Sequence, residues 1–176
     1  GFSDGTKDGG YLMANWAIFQ AKKRLSKLAA KYDIAVVFFD GRGGPPSRGG
    51  GETYAFYQSL AQEIEDNQIQ LTVQGQSIPA SFGTIDSAGF NIEHLLSAGI
   101  SGRLLTERTS VIDSAGEKLI SQLAELSFEA YSELRYDPLF VPYLEEITPL
   151  KYLSEANIGS RPEKRNQAGQ LKLEDL

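Results

Sequence analysis

The sequence predicts an α/β fold, and three features of its patterning carry that prediction. Ile34 to Phe39 is a short apolar run, β-branched and aromatic, that leads directly into a glycine-rich loop, Asp40 to Gly51. A second run of the same kind, Ile69 to Val73, follows a helical stretch and completes two βα-type units in the first half. The remaining long segments repeat their apolar residues at helical spacing.

Taken in order, Gly1-Phe2-Ser3-Asp4 reads as the end of a strand, and Tyr11 to Lys31 as a long amphipathic helix with Leu12, Trp16, Phe19 and Leu28 on its apolar side. Its solvent face is expected to carry Lys22, Lys23, Lys27 and Lys31. Ile34 to Phe39 has the composition of a strand buried on both faces, as parallel strands in α/β folds are. A helix is expected from about Thr53 to Asp66, then the strand Ile69 to Val73. The second half is mostly helical, with helices over Ser87 to Arg103 and Ala115 to Tyr136, the latter opened by a capping box of Ser114 and Glu117. Asp137-Pro138 is expected to start a further short helix that ends near Glu146, aspartate as N-cap and proline at the first helical position. Leu171 to Leu176 has no cap or closing element, so residues 1–176 are expected to be one segment of a longer chain.

Composition narrows the chemistry. With 17 basic and 23 acidic residues the formal charge is −6, which does not suit a nucleic-acid binder. The absence of cysteine removes disulfides, thiolate catalysis and thiolate metal sites, and the sole histidine, His94, removes any multi-histidine site. No apolar run approaches the roughly 20 residues of a membrane helix, and the first residues lack the regions of a signal peptide, so the expected location is the cytoplasm.

The chemistry that remains sits in the loops. Glycines after a parallel strand let the backbone approach an anion, and Arg42 and Arg48 can grip phosphate or carboxylate oxygens through paired hydrogen bonds. A solvated surface loop is the alternative. Neither Gly-x-Gly-x-x-Gly nor the Walker lysine-serine pair is present. Asp4 is an oxygen donor suited to Mg²⁺ or Mn²⁺ and Lys7 can neutralise an anionic substrate; alternatively, Asp8 caps the following helix and Asp4 holds a turn. Arg161, Lys164 and Arg165 form an anion-friendly cluster or a solvated tail, and His94 reads as an ordinary helix histidine.

Four ordered motifs go further. Gly-Phe-Ser-Asp-Gly-Thr-Lys-Asp-Gly-Gly-Tyr-Leu-Met-Ala-Asn-Trp, Phe-Phe-Asp-Gly-Arg-Gly-Gly-Pro-Pro-Ser-Arg-Gly-Gly-Gly, Val-Gln-Gly-Gln and Asn-Ile-Gly-Ser-Arg-Pro-Glu-Lys-Arg together resemble the phosphoenolpyruvate carboxylase family. The resemblance implies a helix-rich portion of an elaborated TIM-type barrel, incomplete in this chain, from the C-terminal catalytic half of a much longer enzyme. It implies a carbon-carbon lyase that joins bicarbonate to phosphoenolpyruvate with Mg²⁺ or Mn²⁺, giving oxaloacetate and phosphate, and a homotetrameric parent; the isolated chain is expected to be inactive. By motif, Asp4 matches a metal-binding aspartate, Lys7 a catalytic lysine, and Arg42 the loop arginine that stabilises phosphoryl and enolate charge. Arg48 matches the second loop arginine, used in carboxylation and in binding an acidic feedback inhibitor, while Gln74 and Arg161 match substrate-binding positions.

This sequence departs from the family pattern at two places. Asp40 stands where the glycine loop usually begins with a histidine that takes a proton; the resemblance makes it a catalytic candidate that can still accept one, although aspartate is the weaker base at neutral pH and serves only if its surroundings raise its pKa or if it positions something. Gln76 stands where Gln-Gly-Glu usually ends. Asp40 therefore admits a second implication, a non-catalytic anion-binding or structural module that keeps the fold without the proton-transfer step. A general phosphate-binding domain with a superficial likeness is a third.

Overall fold

The computed structural model describes residues 2–41, 53–60, 64, 68–73, 75, 77–104 and 112–149. These residues are predominantly helical, with a small parallel sheet, an α/β arrangement. The elements are α1 (Phe2–Gly9), α2 (Tyr11–Lys31), β1 (Phe38–Asp40), α3 (Thr53–Gln58), β2 (Ile69–Leu71), α4 (Ser77–Phe82), α5 (Ile85–Leu104), α6 (Ser114–Arg135) and α7 (Phe140–Ile147).

The first residues form a helix, α1, rather than the expected strand end. Asp4 in its first turn and Lys7 in its last oppose the helix dipole favourably. Glycine then serves two purposes. At Gly5 a methyl group would meet the Ala14 side chain at 3.5 Å, so α1 lies close along α2. At Gly10 the backbone has φ 75°, which turns the chain between the helices and excludes most side chains.

α2 spans the predicted residues, but its inner face differs from the expected one. Ala14, Lys22 and Ser26 are buried on a four-residue spacing, so Lys22 belongs to the packed stripe and not to the solvent face. The helix ends in a Schellman arrangement: the Ile34 N–H donates to Ala29 O at 3.0 Å and the Asp33 N–H to Ala30 O at 3.3 Å. Asp33 occupies the left-handed position that such endings require, at φ 53°.

The predicted strand from Ile34 is shorter than expected and is not buried on both faces. Only Phe38–Asp40 pair, with Phe38 opposite Ile69 and Asp40 opposite Leu71, while Ile34 and Phe39 are 61% and 66% exposed. The Schellman ending takes the Ile34 amide into the helix cap, and β2 supplies the neighbouring strand only from Ile69 to Leu71.

α3 also ends early, at Gln58. Ser59 donates its N–H to both Ala55 O and Phe56 O, and Leu60 donates to Tyr57 O at 3.4 Å, tightening the last turn to three-residue spacing. α4 has no predicted counterpart. It is six residues with Pro79 inside its first turn, too short to show a period.

Three helix starts also differ from expectation. The N-cap of α6 is Asp113, whose carboxylate accepts from the Gly116 N–H at 2.7 Å, so the box of Ser114 and Glu117 is not formed. A reciprocal box instead opens α5, where Thr84 and Ser87 exchange backbone-to-hydroxyl bonds at 3.3 and 3.2 Å. Ahead of α7, Asp137 accepts from the Leu139 N–H at 2.7 Å in an Asx turn, and the helix begins only at Phe140.

Packing follows from these elements. α6 runs antiparallel to α2: Trp16 donates its indole N–H to Ser121 Oγ at 3.0 Å, and Lys23 pairs with Glu117 at 2.5 Å. A second cluster holds α3 against α5, built on Tyr57, Leu60, Ile64 and Ala98, with Phe19, Phe38, Ile69 and Leu95 packed against it. Phe19 thus joins the long helix to the sheet and its helices.

Candidate functional site

β1 and β2 are parallel and in register, so the chain leaves both strands from the same end of the sheet. That carboxyl end is where α/β proteins place ligand contacts. Asp40 is the last residue of β1 and the first of the glycine loop, and β2 leads from the same edge toward Gln74. Arg42, Arg48, Gln74 and Arg161 lie outside the described residues.

Asp40 is 2% exposed. The Lys22 ammonium donates to its Oδ1 at 2.5 Å, and the Tyr57 hydroxyl donates to its Oδ2 at 3.0 Å. The same ammonium stands 5.2 Å from the Phe38 ring centroid and 5.5 Å from that of Phe56, within cation–π range of both. Both carboxylate oxygens of Asp40 are therefore engaged inside the fold. Lysine is almost never this buried unless its charge is paired, and here the pair joins α2 to the end of β1.

Lys22 and Tyr57 are the residues that reading the sequence for chemistry misses. A signal for Lys22 exists in the small residues Ala14 and Ser26, which share its stripe at multiples of four. A stripe holding small residues marks close packing, and a cation within it needs a counter-charge.

Asp4 and Lys7 lie on one side of α1, one turn apart, and both are exposed. Asp8 does not cap α2; its carboxylate faces Arg135 Nη1 at 3.3 Å. Arg135 and the Tyr131 hydroxyl, the latter at 2.6 Å, both donate to the Lys7 carbonyl, which fastens the last turn of α1 to α6. Asp4 and Lys7 are not brought to Asp40 by contact. Gly5 sits against Ala14, and Lys22 is eight residues farther along α2, a rise of about 12 Å.

For a divalent cation the donor set is small. Among the described residues no group of three or more His, Asp or Glu side chains could hold a metal. Asp4 presents one exposed carboxylate, a single hard oxygen donor of the kind that Mg²⁺ takes one or two of, with water and substrate oxygens completing the shell. His94 is exposed on α5, its ring 3.9 Å from that of Phe90 and edge-on to that of Tyr54 in α3 at 6.1 Å between centroids, with Nδ1 2.9 Å from the Phe90 carbonyl oxygen. No helix among the described residues is long and apolar enough to cross a membrane.

Comparison with known proteins agrees with the motifs. The family model for phosphoenolpyruvate carboxylase matches residues 1–176. The phosphoenolpyruvate carboxylase of Corynebacterium efficiens is 37% identical over 177 aligned residues, covering 100% of this chain and 19% of the relative. That of Corynebacterium glutamicum is 35% identical with the same coverage, and that of Corynebacterium diphtheriae is 35% identical over 167 residues, 95% of this chain. The chain thus spans about a fifth of the length of these relatives. A superficial likeness confined to phosphate-binding loops would not extend over the sequence from the first residue to the last, and the chain belongs to the phosphoenolpyruvate carboxylase family.

Proposed function

We propose that this chain is a segment of the catalytic barrel of a phosphoenolpyruvate carboxylase, and that the whole protein carboxylates phosphoenolpyruvate with bicarbonate to give oxaloacetate and phosphate. The observation that carries this reading is the family match across all of residues 1–176. In the proposed reaction bicarbonate attacks the phosphoryl group, an enolate leaves, and the carboxyphosphate formed releases the CO₂ that the enolate captures. Mg²⁺ or Mn²⁺ would supply positive charge against the phosphate and enolate oxygens. From this chain Asp4 would be one ligand, held out into solvent by α1, and Lys7 beside it would neutralise substrate charge.

Arg42 and Arg48 would hold the phosphoryl, enolate and carboxylate charge by bidentate hydrogen bonds, with Arg48 also open to an acidic feedback inhibitor. Gln74 and Arg161 would complete the grip on substrate. A cytoplasmic homotetramer with a TIM-type barrel is the assembly this reading implies, and the segment alone would not turn over.

A second reading, an anion-binding or structural module without catalysis, is favoured by one observation. Asp40, in the place of the family's proton-accepting histidine, has both oxygens engaged by Lys22 and Tyr57. The full-length protein that contains this segment, assayed for Mg²⁺-dependent oxaloacetate formation, separates the two. Activity that falls when Asp4 is replaced by Asn supports the enzyme, and no oxaloacetate under any metal condition sinks it. In an active protein, a large gain on Asp40→His means the position has degenerated, whereas a loss means the aspartate is needed, as a working group or as the partner of Lys22.

A further inference from the structure

Lys22 occupies a position that stability alone does not explain. Its ammonium is enclosed by Asp40, Phe38 and Phe56, with Tyr57 on the far oxygen of Asp40. Well-packed apolar residues in place of a buried ion pair are often as stable or more so, whereas the pair fixes one geometry. That geometry joins two particular elements. α2 begins immediately after α1, which carries Asp4 and Lys7, and β1 ends at Asp40, where the glycine loop departs. α2 and α1 are themselves locked by the close approach at Gly5 and by the bonds from α6 to the Lys7 carbonyl.

We propose that Lys22 is a positioning residue: through its ion pair with Asp40 it fixes the strand end that launches the glycine loop relative to the helix pair carrying Asp4 and Lys7. Tyr57 completes the clamp from α3. The role in turnover rests on the phosphoenolpyruvate carboxylase reading; the role in positioning does not. Asp40 here anchors the end of β1, and an aspartate is accommodated at this buried place because a lysine just past the middle of α2 meets it.

The test uses the full-length protein and three variants, Lys22→Met, Lys22→Arg and Lys22→Met with Asp40→Asn. Three quantities are read: oxaloacetate formation, the melting midpoint, and hydrogen exchange at the Thr72 amide, which donates to the Asp40 carbonyl at 3.3 Å. Lys22→Met is expected to lower kcat about tenfold or more with KM for phosphoenolpyruvate changed less than about threefold, and to speed Thr72 exchange about tenfold. Lys22→Arg should recover most of kcat and of the Thr72 protection, since it keeps the charge. If Lys22→Met does not fold, the double variant decides, because it removes the stranded charge along with the pair. A melting midpoint restored while kcat stays low supports positioning; midpoint and kcat restored together overturn it, as does a Lys22→Met protein unchanged in kcat and in Thr72 exchange. If the unsubstituted protein forms no oxaloacetate, the functional reading fails by itself. Thr72 exchange then decides the positioning claim alone, supporting it by a rise and overturning it by no change.

Discussion

Replacing Gly10 by alanine should destabilise the chain by about 2–3 kcal/mol, from two terms that meet at one atom. The backbone at Gly10 has φ 75°, and an L-residue there costs about 1–2 kcal/mol. The added methyl would also stand 3.2 Å from Tyr131 Cγ and 3.3 Å from its Cβ, tighter than ordinary contact. Tyr131 must give way by a few tenths of an ångström. It cannot do so freely, because its hydroxyl donates to the Lys7 carbonyl at 2.6 Å; loss of that bond adds about 1 kcal/mol. Urea denaturation followed through Trp16 suits the measurement. Trp16 is the single tryptophan, and it lies at the α2–α6 contact, bonded to Ser121. Tyr131→Phe separates the terms, as it should cost only about 0.5–1.5 kcal/mol. A Gly10→Ala chain within about 0.5 kcal/mol of the original would refute the reasoning, since neither the left-handed backbone nor the crowding could then be real.

Other substitutions probe the remaining local claims. Asp33→Gly should raise stability by about 0.5–1 kcal/mol, because Asp33 holds the left-handed place in the α2 ending that glycine fills without strain; a loss in the same denaturation experiment would contradict this. Asp113→Ala should cost about 1 kcal/mol by removing the acceptor for the Gly116 amide, whereas Ser114→Ala should cost little, and the reverse ranking would restore the capping box as the true start of α6. A double-mutant cycle on Lys23 and Glu117 should return a coupling below about 1 kcal/mol despite the 2.5 Å contact, because both side chains keep about a quarter or more of their surface in water. Raising the salt concentration should shrink that coupling further.

What the sequence discloses depends on the range of the interaction. The span of α2 is legible because its apolar residues recur over 21 residues, and α5 and α6 are legible for the same reason. The parallel pairing follows from two β-branched runs separated by a helix. Ends are less legible. Whether Asp113 or Ser114 caps α6, and whether Asp137 starts a helix or an Asx turn, is a competition between neighbouring polar groups for the same amide, and adjacent candidates look alike in one dimension. The loop motifs identify the family by residue type and order, and they place Asp4 and Lys7 without showing that both stand on one exposed side of a helix.

Periodicity, or a run of residues read in order, was enough for the long helices α2, α5 and α6, the pair of parallel strands and the family, while α1 and α4 are too short to show a period. The fate of Lys22 and Asp40 was set by packing between elements. Eighteen positions separate them, and a lysine in an amphipathic helix reads as a solvent residue until something fills the space opposite. Burial belongs to the surface two elements share, so the ion pair, its aromatic walls and the Tyr57 hydroxyl came into being only when α2, β1 and α3 met.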